Sequence, residues 1–144
     1  MSESSTAGLA KCWTFNAMAK TMGDGGYITK AVVVTAAAAQ TLRATLYLFN
    51  KIPTSNLLDD TANTAPIAAD TDYYQGRVDF PALETVGTTA SNAVATPSTV
   101  GNLPLGFVCY TGDDALYGIL VTRDVTATLT AASNVTVVLT VEQM

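Results

Sequence analysis

Histidine is missing from all 144 residues, and with it goes the one side chain whose unperturbed pKa lies near neutrality. Ser-His-Asp and Cys-His arrangements are therefore excluded, and only carboxylates and lysines remain as general bases. Cysteine occurs twice, as Cys12 and Cys109, too far apart in sequence for zinc-ligand or redox-motif spacing. The chain is expected to be no enzyme and to need no metal or other cofactor. Its seven basic residues, Lys11, Lys20, Lys30, Arg43, Lys51, Arg77 and Arg123, are scattered, and the net charge is −5. Nucleic-acid binding needs clustered cations that displace counterions, so no direct nucleic-acid partner is expected. The longest strongly apolar run, Ala31-Val32-Val33-Val34-Thr35-Ala36-Ala37-Ala38-Ala39, falls well short of the roughly 20 residues that span a bilayer as a helix, and no membrane partner is expected. The polar start Met1-Ser2-Glu3-Ser4-Ser5-Thr6 lacks the pattern of a signal peptide. Two free thiols in a protein made in the cytoplasm are the expectation. Charged residues are also scarce, at 13% against 49% hydrophobic, which suggests a surface partly meant for partners.

What the chain does have is alternation. Thr41-Leu42-Arg43-Ala44-Thr45-Leu46-Tyr47-Leu48-Phe49 and Asn134-Val135-Thr136-Val137-Val138-Leu139-Thr140-Val141-Glu142 place every second side chain on one face of a strand. The second run gives a strand over 135–141, and further strands are predicted over 10–15, 27–35, 74–80, 105–110, 116–122 and 125–129, with a hairpin joining 105–110 to 116–122 through Thr111-Gly112-Asp113-Asp114. The alanine run 36–39 is read as a turn or strand continuation. Arg43, Thr45, Tyr47 and Phe49 form a second face that also needs partial cover. The separators are Gly, Pro, Asn and Asp. These features predict an all-β fold, an antiparallel, jelly-roll-like β-sandwich of about eight strands. Residues 1–9 are expected as a flexible arm and 10–144 as one domain, of a size that folds unaided. Leu46, Leu48, Val78, Phe107, Ile119, Val121, Val137 and Leu139 are the predicted core.

Two long excursions interrupt the strands, 51–72 and 87–104, and loops this long in a compact domain usually have a task. The acidic pairs Asp59-Asp60, Asp70-Thr71-Asp72 and Asp113-Asp114 are better read as local backbone binders than as calcium ligands, since no EF-hand spacing is present. Asp79 and Glu84 form the nearest approach to a glycosidase pair, and surface solvation explains them better. Tyr73-Tyr74 is the aromatic pair most suited to an exposed sugar platform. Gly23-Asp24-Gly25-Gly26 lacks the third glycine of a dinucleotide fingerprint, and Asn134-Val135-Thr136 matches a glycosylation acceptor inside a strand.

Thr41-Leu42-Arg43, Leu46-Tyr47-Leu48-Phe49-Asn50, Pro53-Thr54-Ser55, Asn63-Thr64-Ala65-Pro66-Ile67-Ala68, Gly101-Asn102-Leu103-Pro104, Leu116-Tyr117-Gly118 and Leu139-Thr140-Val141-Glu142 together span most of the chain after Gly26. In these stretches the sequence resembles the head decoration, or cement, proteins of tailed bacteriophages. The resemblance implies a β-sandwich that binds the virion's capsid exterior between major capsid protein subunits. It also implies self-association, with a dimer favoured over a trimer, and no active site. The candidate contacts lie on or beside the two excursions: Lys51, Pro53, Asn56, Asp59, Asp60, Asn63 and Tyr73 in the first, Thr88, Asn92, Pro97 and Asn102 in the second. The alternative is a carbohydrate-binding β-sandwich module of a phage tail or fibre.

Overall fold

The computed structural model describes residues 2–5, 10–58, 61–98, 102–124 and 134–144. Ten strands are found among them: β1 (Ser2–Glu3), β2 (Trp13–Phe15), β3 (Gly25–Thr35), β4 (Ala44–Phe49), β5 (Tyr74–Asp79), β6 (Glu84–Val86), β7 (Ala90–Ala95), β8 (Leu105–Val108), β9 (Leu116–Thr122) and β10 (Val135–Gln143). They form the expected antiparallel β-sandwich. Sheet A runs β1-β9-β4-β5 with β2 also on β9, and sheet B runs β10-β3-β7-β6 with β8 also on β3. Because β9 returns to β4 and β10 to β3, the chain is folded back on itself as nested antiparallel ribbons.

Alternation decides which side chains enter the gap between the sheets. Leu46, Leu48 and Val78 from sheet A meet Ile28, Val33 and Phe107 from sheet B in the main core. Six of the eight predicted core residues are buried, Leu46, Leu48, Val78 and Phe107 in this core and Ile119 and Val121 in a second cluster on the other face of sheet A, whereas Val137 and Leu139 on β10 are half-buried against the main core. Close backbone approach sets the start of β3. A Cβ on Gly25 would run into the Phe107 carbonyl oxygen and one on Gly26 into that of Glu142, so only glycine lets β8 and β10 pair with β3 here.

Two expectations need correction. The excursion 87–104 is not one loop: Gly87, at φ 64°, opens a tight turn between β6 and β7, and β7 lies on β3 in sheet B. Its Ala, Ser and Asn composition hid a strand that tertiary pairing imposes. Strands β8 and β9 do not form a hairpin, because β8 pairs with β3 and β9 with β4, so Thr111-Gly112-Asp113-Asp114 crosses between sheets. Ten strands are found among the described residues where the pattern suggests about eight, within the same all-β sandwich. Residues 36–39 make the expected turn, with Ala39 at φ 59°. Residues 2–5, expected within a flexible arm, lie along sheet A: Ser2 and Glu3 pair with Val121 and Leu120, and the Ser4 and Ser5 hydroxyls donate to the carbonyls of Lys11 and Cys12. The predicted strand 125–129 lies outside the described residues.

Candidate partner-binding surfaces

The excursion 51–72 has a structural task first. It lies over the outer face of sheet A, where Leu57 and Ala65 pack with Tyr47, Phe49, Tyr74, Ile119 and Val121 in a second apolar cluster. This is the cover that the two-faced pattern of 41–49 demanded. The loop is pinned at Asp70, buried in a 3-10 turn over Ala68–Tyr73. Asp70 Oδ1 accepts from the Thr54 amide at 2.9 Å and hydroxyl at 2.8 Å. Its Oδ2 accepts from the Ser55 amide at 3.1 Å and hydroxyl at 2.8 Å. Burial disfavours the charge on Asp70, but these bonds outweigh it and hold the carboxyl below its ordinary pKa.

Within this loop the candidate contacts divide. Pro53 is buried. Asn56 and Asn63 shape backbone turns, Asn56 Oδ1 accepting from the Leu58 amide and Asn63 Oδ1 from the Ala65 amide. Asp59 and Asp60 lie outside the described residues. Lys51 and Tyr73 come together at one end of the sandwich. The Lys51 ammonium sits 4.7 Å from the Tyr73 ring centroid and 4.2 Å from that of Tyr110. The Lys51 pKa is raised, first by its hydrogen bond with Tyr110. Tyr110, at the end of the predicted strand 105–110, completes this cluster, its ring centroid 6.1 Å from that of Tyr73. Tyr74 does not join Tyr73 in an exposed platform, because its ring packs 5.5 Å from that of Phe49 on the covered face.

The second set is dispersed. Thr88 is exposed in the β6–β7 turn, at the Thr35 end of β3, whereas Lys51 and Tyr73 lie near the opposite, Gly25 end. Pro97 is exposed after β7. Asn102, at φ 61°, turns inward in function: its Nδ2 donates to Asp79 Oδ2 at 2.9 Å. Asp79 also accepts from the Thr45 hydroxyl and pairs with Arg77, so its carboxylate is an internal brace. Glu84 stands exposed on the other sheet.

Asn92 belongs to a surface that the sequence did not disclose, the outer face of sheet B. Register sets Val138 beside Val32 and Val32 beside Val94, a row of three valines across β10, β3 and β7. The neighbouring row is Thr136, Val34, Asn92 and Glu84. Val138 is 50% exposed and Val94 37%. Among the described residues no segment lies over this face, in contrast to sheet A.

Burial pushes the Cys109 thiol up to about 11, helped by Asp113 and Asp114, and burial also raises Cys12. Both cysteines are free. Asp113 is engaged by the Tyr117 hydroxyl at 2.8 Å and the Ala115 amide at 3.1 Å. Among the described residues no three of Cys, Asp and Glu stand together as a metal-binding group, and no helix is long and apolar enough to cross a membrane. No family model, curated protein or solved structure matches the chain.

Proposed function

We propose that this protein binds the outside of an assembled tailed-phage head, between major capsid protein subunits, and stabilises the shell. The observation that carries the reading is the asymmetry of the sandwich. One outer face is sealed by the chain's own 51–72 loop, while the other presents Val32, Val94 and Val138 among Thr136, Val34 and Asn92. A mixed apolar and polar sheet face of this kind suits a partner that contributes both packing and hydrogen bonds. The resemblance to head decoration proteins supplies the partner's class.

A ligand that binds only the assembled shell shifts its equilibrium toward assembly by an amount that grows with ligand concentration over its dissociation constant. Repetition over a symmetric shell multiplies a modest contact, and a small symmetric oligomer, dimer ahead of trimer, adds to that effect. The half-buried Lys51 and the exposed Thr88 and Pro97 lie at the rims of the sandwich, where neighbouring capsid subunits would meet them. The reading includes no catalysis, no cofactor, and no contact with nucleic acid or membrane. It places synthesis in the host cytoplasm and action on the virion exterior. The carbohydrate-binding alternative gains nothing from the exposed aromatics, because the Lys51 ammonium already lies over the Tyr73 and Tyr110 rings that a sugar would stack on.

Co-sedimentation tests the reading: purified protein is mixed with undecorated heads of the major capsid protein from the same genome. Protein should travel with the heads, and Val94→Arg should weaken capture by about tenfold or more without changing the circular dichroism spectrum. Protein that stays at the top of the gradient at every concentration would contradict it.

A further inference from the structure

Sandwich edges are dangerous unless they are short, covered or charged, because unpaired strand backbone templates further pairing. The edges of this molecule differ sharply. Strand β1 has two residues and β2 three. Strand β6 has three, all exposed, one of them Glu84. Strand β8 is held to sheet A by side chains, Gln75 Oε1 of β5 accepting from the Val108 amide at 2.9 Å and Nδ2 of Asn50, just after β4, donating to the Val108 carbonyl at 3.1 Å. Strand β10 has nine residues, no Pro, Lys or Arg, and a single charge at Glu142. It pairs with β3 on one side, and among the described residues no strand lies on the other.

The core is also open along this flank. Val135, Val137, Leu139 and Val141 face inward from β10 yet are only half-buried, as are Trp13 and Phe15 of β2. On the opposite flank Leu83, Leu103 and Phe107 are closed to 3%, 8% and 3% exposure.

We propose that β10 pairs with β10 of a second copy, antiparallel about a two-fold axis at Val138, joining two B sheets into one. The strand is self-complementary in that register. Val137 falls opposite Leu139 of the partner and Val135 opposite Val141, all on the core side. Thr136 falls opposite Thr140 and Val138 opposite its own copy, all on the outer side. Glu142 falls opposite Asn134, so the only charge on the strand never meets itself. The extra residue in the β3–β10 ladder is Thr29 on β3, which leaves β10 regular through Val141. Pairing would also make the outer valine row continuous, running Val94, Val32 and Val138 and then the same three residues of the partner in reverse. This deepens the self-association in the functional reading and rests on that part of it. Nine residues a side is well below the roughly 20–30 of a standard interface, so the free dimer should dissociate in the micromolar range.

The test uses the full chain. Light scattering over a concentration series should show a mass rising from 15.0 kDa to twice that value. Val138→Cys should form a disulfide-linked dimer under mild oxidation, because directly opposed Cβ atoms approach within about 5 Å. Thr136→Cys alone, about 13 Å from its own copy across the same axis, should cross-link no faster than wild type with its native thiols. Val138→Lys sets two like charges at the axis of an already exposed position and should raise the dissociation constant about tenfold or more, with an unchanged fold. A monomer at all concentrations would overturn the proposal, as would a dimer that survives Val138→Lys, or cross-linking of Thr136→Cys as fast as Val138→Cys. A monomer that still coats heads would sink the pairing and leave the capsid reading standing.

Discussion

Replacing Asp70 by Asn should detach the 51–72 cover from sheet A, and the cost follows from the donor geometry. Both carboxylate oxygens are engaged: Oδ1 takes the amide and hydroxyl of Thr54, and Oδ2 those of Ser55 together with a second contact from the Thr54 amide at 3.1 Å. An amide keeps one acceptor and turns its NH2 against the other pair, leaving about two donors without an acceptor in a site that is 1% exposed. At about 1–2 kcal/mol for each unsatisfied group, the variant should lose about 2–4 kcal/mol. In a chain of this size that lowers the melting temperature by roughly 6–12 °C. Amides of residues 52–57 should exchange faster with solvent, since the clamp holds them. Asp72→Asn, an exposed change in the same turn, should cost under about 0.5 kcal/mol. The pH dependence has a definite sign. The folded Asp70 carboxyl titrates below its ordinary 3.8, so its contribution is complete above about pH 4 and fades as pH falls through the folded value. The gap between wild type and Asp70→Asn should be constant from about pH 5 to 8 and shrink in stronger acid. A loss under about 0.5 kcal/mol, or a gap as wide near pH 2.5 as at pH 7, would refute this account of the clamp.

Gly26→Ala should prevent β10 from seating on β3, because the new methyl meets the Glu142 carbonyl; a melting temperature within about 2 °C of wild type would contradict that packing. Leu46→Ala, at a fully buried position, should cost about 2–5 kcal/mol in chemical denaturation. In thiol labelling at mildly alkaline pH, half-buried Cys12 should react before buried Cys109, whose thiol is held near 11 and should label only after denaturant is added. Tyr110→Ala should free the Lys51 side chain from its two-ring seat while leaving the fold intact, which ring-proton chemical shifts of Tyr73 would report.

The strands legible in the sequence are those whose pattern is imposed by burial on the strand itself. Residues 116–122 were readable to both ends because Leu116, Ile119, Leu120 and Val121 are buried and turn-forming residues precede them. Residues 135–141 were readable because one face alone meets the core. Strand β7 was not, since its inward residues are Ser91, Ala93 and Ala95, small groups that carry no strand signal. Ser91 is inside because its hydroxyl donates to the Ala37 carbonyl at 2.8 Å and accepts from the Gln40 amide at 3.2 Å. Nor does period two name a strand's partner, which is why β8 and β9 read as a hairpin although long-range pairing sends them to different sheets. The same blindness affects the candidate surface. Lys51 and Tyr73 stood out as loop residues, but the valine row exists only once three strands are placed side by side.

Electron cryomicroscopy of heads before and after addition of the protein decides whether it coats and strengthens the shell, with both samples then heated until the packaged DNA escapes. Added density is expected on the outer surface at sites between capsid subunits, into which the sandwich fits with its sheet B face toward the shell, with DNA release at a higher temperature. Unchanged density, or release at the same temperature from coated and bare heads, would contradict it.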